Sequence, residues 1–142
     1  MSEWETRLAA SGYRLTAARR AILQVLSESP VPLSPLEICR QGQARCTSLG
    51  PATVYRTLEL LEKESLVRRV YQENGACAYL PALPGHRHAI LCRSCGRAAE
   101  FPGSEDWESL AALVQQATGY RVEGHLLQLM GLCPDCQREE AK

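Results

Sequence analysis

Two pairs of cysteines constrain the fold of this 142-residue chain more than any other feature. The pairs are Cys92 with Cys95 and Cys133 with Cys136, each separated by two residues. This spacing lets two sulfurs bind one ion from a single turn, and two such pairs form the tetrahedral set typical of a structural zinc site. The alternative is two unrelated redox-active pairs. A site closed by four thiolates has no open coordination position, so we expect this zinc to have no catalytic role.

The cellular compartment follows from the cysteine usage. The chain has seven cysteines, and paired spacings in a reducing compartment indicate metal binding rather than disulfides. No apolar run approaches the roughly 18 residues needed to span a membrane, and the N-terminus lacks the pattern of a signal peptide. We therefore expect a soluble, cytoplasmic protein with no membrane partner. Cys39, Cys46 and Cys77 lie outside both pairs, and we interpret all three as small buried residues.

Histidines lie just before the first cysteine pair. His86 and His88 are two positions apart, so on a strand both side chains would lie on one face. Glu108, in the first turn of a predicted helix, and His125, in a predicted strand, are two further candidates. Three histidines and a glutamate would suit Zn²⁺, Fe²⁺ or Mn²⁺. A lone histidine among leucines is also ordinary in a core, so the residues alone leave this second site open.

The first half of the chain is predicted to be helical and to end in a hairpin. Apolar periodicity predicts helices over 3–11, 17–29, 34–41 and 51–65. Thr16 and Ser34 are the expected caps of the second and third helices. Asn74-Gly75, between apolar segments, is a strong hairpin signal. Helices followed by such a hairpin indicate a winged helix-turn-helix domain.

The fourth predicted helix is the candidate recognition helix. Val54, Leu58 and Leu61 fall on one apolar face, which leaves a second set of side chains on other faces: Thr53, Tyr55, Arg56 and Thr57. Net charge is zero, but residues 1–72 hold 10 Lys+Arg against 7 Asp+Glu, whereas residues 73–142 hold 6 against 9. A mildly basic, arginine-rich half is compatible with DNA binding. Similar bundles also serve as protein adapters, so the pattern alone leaves both open.

The second half has a different pattern. It predicts strands over 88–92 and 96–101, a helix over 105–118 capped by Ser104 and ended by Gly119, and a strand over 120–133. A small sheet of this kind leaves an edge that a second copy would cover, so we expect a homodimer. The fold class is α+β, with a winged helix-turn-helix domain over 1–80, a hinge over 81–87, and a small α/β dimerisation and metal-binding domain over 88–142.

Four segments carry a resemblance to a known family. They are GYRLTAARRAIL, TVYRTLELLEKESLV, the stretch from His86 to Phe101, and HLLQLMGLCPDC. Together they resemble the ferric uptake regulator family of bacterial metalloregulators, and the resemblance covers roughly residues 8–137. It implies a homodimeric repressor that binds palindromic, AT-rich double-stranded DNA operators.

The resemblance also implies roles for particular residues. Tyr55 and Arg56 match recognition-helix contacts to DNA, Arg14 and Arg19 match basic positions near the first helices, and Thr53 is the neighbouring candidate. The four paired cysteines match structural zinc ligands. A second set matches a site inside the dimerisation domain, separate from the cysteines: His86, His88, Glu108 and His125.

This chain departs from the family pattern at a further metal site, which in the family lies at the hinge between the domains. Positions that bear metal ligands in the family are here Pro32, Arg68, Leu80, Arg87 and Ala89. Arginine and leucine do not bind cations. The chain therefore either senses metal through the histidine site or has built another hinge site.

Such a rebuilt hinge site would have few ligands to draw on. Cys77 and Glu100 are the available additional ligands.

The expected function is metal-dependent transcriptional repression, with zinc as the first choice of effector because a histidine-rich site favours it over Fe²⁺ or Mn²⁺. Iron, manganese, or a peroxide or thiol signal acting through Cys77 are alternatives, as is a constitutive DNA-binding protein whose metals are purely structural. An enzyme is not expected, because only Glu100 is an acidic candidate for a general base.

Overall fold

The computed structural model describes residues 3–104 and 106–142. Within them, the first part of the chain holds helices and one antiparallel sheet: α1 (Glu3–Ala10), α2 (Ala17–Glu28), α3 (Pro35–Gly42), α4 (Pro51–Lys63), β1 (Val67–Tyr71) and β2 (Cys77–Pro81). The second part holds a second sheet with a helix on either side of its last strand: β3 (Arg87–Cys92), β4 (Ala98–Pro102), α5 (Trp107–Thr118), β5 (Gln128–Gly131) and α6 (Pro134–Glu140). The α+β class with an amino-terminal winged helix is confirmed.

The helices of the first part begin where the sequence predicts. The Thr16 hydroxyl accepts a hydrogen bond from the Arg19 amide at 3.1 Å, and the Ser34 hydroxyl accepts one from the Glu37 amide at 3.2 Å. These caps satisfy amide groups that have no partner inside the helix. The apolar faces then pack into one core, whose fully buried side chains are Leu8, Ile22, Leu26, Ile38, Val54, Leu58, Leu61 and Leu66.

One face of α4 is broader than predicted. The prediction that Thr57 lies off the apolar face of this helix is wrong, because Thr57 is only 2% exposed. The reason is its spacing. Position 57 is three residues after Val54, so its side chain lies over the same core.

The wing is an antiparallel hairpin of β1 and β2. Gly75 adopts a left-handed φ of 83°, and the Asn74 side chain accepts a hydrogen bond from the Ala76 amide at 2.9 Å. The Asn-Gly turn is therefore present, within a loop longer than two residues. Leu33 pairs with Tyr79 through two backbone hydrogen bonds of 2.9 and 2.8 Å, which fixes the wing against the segment before α3.

The second sheet has the strand order β4-β3-β5. Strand β3 pairs antiparallel with β4 and parallel with β5. The central position of β3 makes it the most buried strand of this part, with Ala89, Leu91 and Cys92 in the interior. Because β3 and β5 run parallel and each leads into one cysteine pair, the two cysteine pairs lie at the same end of the sheet.

Two boundaries in the second part differ from the prediction. The cap of α5 is Asp106, not Ser104: its carboxylate accepts from the Ser109 amide at 3.1 Å, and the helix begins at Trp107. Residue 105, the first of the predicted helix, lies outside the described residues. Gly119 ends the helix with a left-handed φ of 78°, as predicted.

The predicted strand over 120–133 is also wrong in extent. Only Gln128–Gly131 pair with a neighbour, because β3 offers partners to those four positions alone. The preceding residues form no strand, and Leu126 is 94% exposed. His125 therefore lies in a loop rather than in the middle of a strand. Beyond the strand, Pro134–Glu140 forms a helix that the sequence pattern did not indicate.

Among the described residues, no helix is both long enough and apolar enough to span a membrane.

Candidate metal centres and nucleic-acid interface

The four paired cysteines come together in space. One sulfur from each of Cys92, Cys95, Cys133 and Cys136 lies within 4.8 Å of all the others, and the sulfurs of Cys95 and Cys133 are 3.6 Å apart. Zinc–sulfur bonds of about 2.3 Å at tetrahedral angles place ligand sulfurs about 3.8 Å apart. The donor set and its spacing thus fit Zn²⁺.

Local structure explains how the two pairs meet. Cys92 ends β3, and a turn closed by the Gly96 amide, 3.0 Å from the Cys92 carbonyl, carries Cys95 back beside it. Gly96 adopts a φ of 80°, which favours glycine. Cys133 caps α6 by accepting a hydrogen bond from the Cys136 amide at 3.5 Å. The parallel pairing of β3 with β5 then brings the two turns together.

The electrostatics of this cluster favour a cation. Hydrogen bonds from the backbone of Cys95 and Cys133 lower the pKa of the Cys92 thiol to about 6. The Ser94 hydroxyl lowers the pKa of the Cys136 thiol. The neighbouring Cys133 thiol, burial and the other sulfurs have a larger effect in the opposite direction, and together they raise this pKa to about 12. Sulfurs this close cannot all ionise without a counter-charge. A divalent ion supplies that charge, and its binding would release the remaining protons.

A second cluster gathers all three histidines of the chain. Ring nitrogens of His86, His88 and His125 lie within 4.8 Å of one another, and the Nε2 atoms of His86 and His125 are 3.1 Å apart. Imidazole ligands at about 2.0–2.1 Å on a tetrahedral ion are about 3.4 Å apart. Three imidazoles converging in this way suit Zn²⁺ and other late transition metals.

Packing holds these rings in place. His88 is buried on β3, and its ring centroid lies 5.8 Å from that of Phe101. The Trp107 ring lies 4.2 Å from the His125 ring. A Cβ at position 103 would lie 2.9 Å from three atoms of the His86 ring. Any residue other than glycine at this position would therefore displace the ring.

Not every predicted ligand joins the clusters. Glu108 is exposed in the first turn of α5, next to Trp107, and is not among the side chains grouped with the histidines. Cys77 begins β2 and packs against the winged-helix core. Neither Cys77 nor Glu100 belongs to a cluster of metal-ligating side chains within residues 3–104 and 106–142. The roles of all three as ligands stay predictions.

At the hinge, charged side chains stand where the family resemblance implied metal ligands. The Glu100 carboxylate is 3% exposed and lies 3.4 Å from Arg68 Nε and 3.5 Å from Arg87 Nε. The Leu83 amide donates to it at 3.2 Å. Leu80 packs with the apolar residues Val70, Ala78 and Ala89. Glu100 is thus bound to guanidinium groups.

The candidate DNA contacts lie on the outer surface of the winged helix. Tyr55 is 56% exposed on α4, and Arg56 is exposed beside it with its guanidinium 3.3 Å from the Thr53 hydroxyl. Arg14 is exposed in the loop before α2, and its carbonyl accepts from the Arg19 guanidinium at 2.6 Å. Tyr55 and Arg56 lie on an exposed helix face, a position that suits contact with a DNA groove. Arg19, by contrast, is half-buried, and its guanidinium is bound to the loop.

Sequence reasoning missed two features of these sites. The pairing of Arg68 and Arg87 with Glu100 was not predicted, although two arginines at ligand positions of one hinge, with an acidic residue available nearby, could have indicated it. The interaction of Gln128 with the wing was also missed: its amide oxygen accepts from the Tyr71 amide at 2.8 Å, and its amide nitrogen donates to the Tyr71 carbonyl at 2.7 Å. No local pattern indicates such a contact.

Known proteins with similar sequences and folds carry related functions. The ferric uptake regulation protein of Campylobacter jejuni is 32% identical over 92% of this chain and 84% of its own length. The zinc uptake regulation protein of Mycobacterium tuberculosis is 32% identical over 92% of this chain and 99% of its own. The solved structure of the Helicobacter pylori ferric uptake regulator, which has three functional metal binding sites, has a similar fold, with a TM-score of 0.60. The comparison covers 94% of this chain and 89% of that one, and the two sequences are 25% identical.

The family assignment rests on most of the chain. The ferric uptake regulator family model matches residues 10–130, which include the winged helix, the histidines and the first cysteine pair. The fold, the two ligand clusters and the relatives agree with it. The chain therefore belongs to the ferric uptake regulator family of metal-responsive transcriptional regulators.

Proposed function

We propose that this protein is a zinc-responsive transcriptional repressor that binds palindromic operators as a homodimer. The observation that carries the proposal is the presence of two ligand clusters, one of four cysteine sulfurs and one of three histidine rings. A chain with the first cluster alone would need no more than structural zinc. The second cluster supplies a site whose occupancy can change with the metal supply.

The cysteine cluster has a structural role in this proposal. Four thiolates close the coordination sphere of one ion, so no position remains for a substrate or a labile ligand. Cys133 and Cys136 belong to the last helix, and Cys92 ends the central strand. Bound zinc would cross-link these elements and hold the sheet together.

The histidine cluster is the regulatory site. His86, His88 and His125 supply the imidazoles, and Glu108, one residue from the Trp107 ring that packs on His125, is the fourth ligand we propose. The exposed Glu108 side chain would have to move into the cluster to bind the ion. Zinc is favoured over Fe²⁺ and Mn²⁺ by the Irving–Williams order at nitrogen-rich sites. Fe²⁺ and Mn²⁺ are the alternatives, since relatives named for ferric and for zinc uptake are equally similar to this chain.

An exposed apolar surface supports the homodimer. Helix α5 has no buried residue within this single chain. Large apolar side chains are exposed on α5, on β5 and between them: Leu110, Leu113, Tyr120, Leu126, Leu127, Leu129 and Met130. A surface of this size on one small sheet is unfavourable in water. A second copy, paired through the same elements, would cover it.

DNA recognition falls to α4 and the loop before α2. Tyr55 and Arg56 project from α4 toward the major groove, with Thr53 beside them, while Arg14 and Arg19 contact the phosphate backbone. Two copies of α4 in the dimer would read two half-sites about one helical turn apart. Neutral net charge keeps non-specific binding weak, and specific binding weakens with salt because phosphate contacts displace counterions.

The test combines metal content with DNA affinity. We would load the protein anaerobically with Zn²⁺, Fe²⁺ or Mn²⁺, remove loosely held metal, and measure metal per subunit for the native chain and for His125→Ala. The expected result is loss of one zinc equivalent in the variant, with the zinc of the cysteine cluster retained. The zinc-loaded protein is used to select a DNA duplex from a random pool. The affinity of the native chain and of His125→Ala for this duplex is then measured by titration.

The outcomes separate the alternatives. Tighter DNA binding on filling the histidine site, absent in His125→Ala, supports the proposal. Equal DNA affinity at every metal occupancy would instead indicate a constitutive DNA-binding protein. A larger effect of Fe²⁺ or Mn²⁺ than of Zn²⁺ would keep the regulator and change its effector.

A further inference from the structure

A partly buried ion triad joins the wing to the second sheet. Glu100 on β4 holds Arg68 of β1 at 3.4 Å and Arg87 of β3 at 3.5 Å, both measured from Nε. The Leu83 amide of the hinge donates to the same carboxylate at 3.2 Å. A single acid therefore contacts the wing, the hinge and the second sheet.

The chemistry of this triad favours a stable contact. The guanidinium group of arginine matches the geometry of a carboxylate and is readily buried beside one. Loss of the carboxylate would leave two cations close together with no counter-charge, which is costly in a partly buried site. The triad therefore favours one arrangement of the two sheets without an ion bound at the hinge.

A second contact lies beside the first. The Gln128 side chain bonds both peptide groups of Tyr71, accepting from the amide at 2.8 Å and donating to the carbonyl at 2.7 Å. In this way the side chain takes the place of a neighbouring strand at the edge of β1. Between the two polar contacts, Val70 and Ala78 of the wing pack against Ala89 of β3.

Both contacts are adjacent to the metal-ligating histidines. Arg87 lies between His86 and His88 on the chain, and Gln128 follows His125 by three residues. A cavity of about 490 Å³ unites them, and its lining includes Arg68, Tyr71, His86, Arg87, His88, His125 and Gln128. Each segment that carries a histidine ligand thus also carries a side chain that holds the wing.

We propose that Arg87 and Gln128 are positioning residues that transmit the occupancy of the histidine cluster to the DNA-binding domain. This inference rests on the proposed function, because it names how that same metal site is coupled to DNA. Drawing three imidazoles onto one ion fixes β3 relative to the loop before β5. Those two segments hold β1 through Glu100 and through the Gln128 amide, so fixing them fixes the wing.

Gln128→Ala is the first test, because it removes a neutral side chain and leaves the histidines and the triad intact. DNA affinity is measured with the histidine site empty and filled with Zn²⁺, for the native chain, Gln128→Ala and the control Gln24→Ala, an exposed glutamine on α2. Allosteric couplings are typically 5- to 150-fold. We expect a ratio of about this size in the native chain and the control, and a ratio reduced about fivefold or more in Gln128→Ala.

Glu100→Gln tests the triad, with Glu140→Gln as a control that makes the same change of net charge at an exposed position. Zinc affinity of the histidine site without DNA is measured for every variant and should stay within about threefold of native, a free-energy difference below about 0.7 kcal/mol. Small-angle X-ray scattering of each dimer supplies an independent reading. Zinc should reduce the radius of gyration of the native dimer, and this reduction should be lost in Gln128→Ala and Glu100→Gln.

The results distinguish this inference from the proposed function. A native DNA-affinity ratio close to one would overturn both. A clear native ratio that is unchanged in Gln128→Ala and Glu100→Gln, in folded dimers with normal zinc affinity, would overturn the coupling route alone. If Glu100→Gln does not fold, the decision rests on Gln128→Ala.

Discussion

Cys133→Ser tests whether metal, rather than an apolar core, holds the second half of the protein together. Within the described part of residues 82–142, the buried apolar side chains are those of Ala89, Leu91 and Cys92. The winged helix, by contrast, has a continuous buried core drawn from all four helices and the wing. The serine variant removes one sulfur ligand and changes no other contact of that small core.

The magnitude follows from the size of this core. Full burial of a leucine contributes about 1.5–3 kcal/mol, and two smaller side chains add about 2 kcal/mol more. Structural zinc bound by four protein ligands contributes about 10–16 kcal/mol in small domains. Metal binding is thus the larger favourable term for β3, β5 and α6. This contribution is comparable to the whole free energy of unfolding of a typical domain, roughly 5–15 kcal/mol.

Serine isolates the metal effect from the helix cap. Cys133 also caps α6 by accepting a hydrogen bond from the Cys136 amide. Serine is among the preferred cap residues, so the variant keeps the cap while it loses the thiolate. Cys46→Ser is the matched control, since Cys46 is half-buried in the winged-helix half and lies outside both ligand clusters.

The assay is hydrogen exchange read by mass spectrometry, together with zinc content and dimer mass. In Cys133→Ser we expect one zinc equivalent to be lost, the amides of β3–β5 to exchange rapidly and the dimer to dissociate. The amides of α2–α4 should stay protected. Protected β3–β5 amides in a zinc-deficient dimer would refute the reasoning, because the small apolar core and the dimer interface would then be sufficient without metal.

Three further predictions address the other surfaces of the protein. Gly103→Ala should displace the His86 ring, which a Cβ would approach to 2.9 Å, and should weaken zinc binding at the histidine cluster about tenfold. Gly124→Ala, which has open space at its Cβ position, should leave zinc binding unchanged. Competition with a chelator measures both affinities. Arg56→Ala should cost about 1–3 kcal/mol of specific DNA binding and relax base preference at one position, measured by fluorescence anisotropy on single-substituted operators. Leu113→Glu, at a side chain 62% exposed in the single chain, should shift sedimentation velocity profiles from dimer to monomer, and an unchanged dimer would place the interface elsewhere.

Much of the fold was predictable because its signals are local. Thr16 and Ser34 cap helices through hydrogen bonds to amides three residues away, and Asn74-Gly75 turns the wing with contacts inside the loop. The four cysteines were predictable as one site because the spacing within each pair fixes two ligands per turn. The two-residue spacing of His86 and His88 likewise predicted that their side chains lie together, as they do, although His86 precedes the first residue of β3.

Other features depend on which distant segments meet. Asp106 rather than Ser104 caps α5, and the ring of Trp107, the first residue of that helix, packs on His125 of a distant segment. Strand β5 is short because β3 has only four partner positions for it. Thr57 is buried because the core beneath α4 is wider than the apolar pattern of that helix.

The sequence by itself indicated the four-cysteine set, the winged helix and the absence of ligand-type residues at the hinge positions, and it left the histidine set open. Only the tertiary structure decided what stands at the hinge instead. Arg68, Arg87 and Glu100 are separated by 19 and 13 positions in the chain, and they meet because β3 pairs with β4 while the wing lies against that sheet. The energy of a charge pair depends on the distance between the two charges in space, and the order of residues in the chain does not specify that distance.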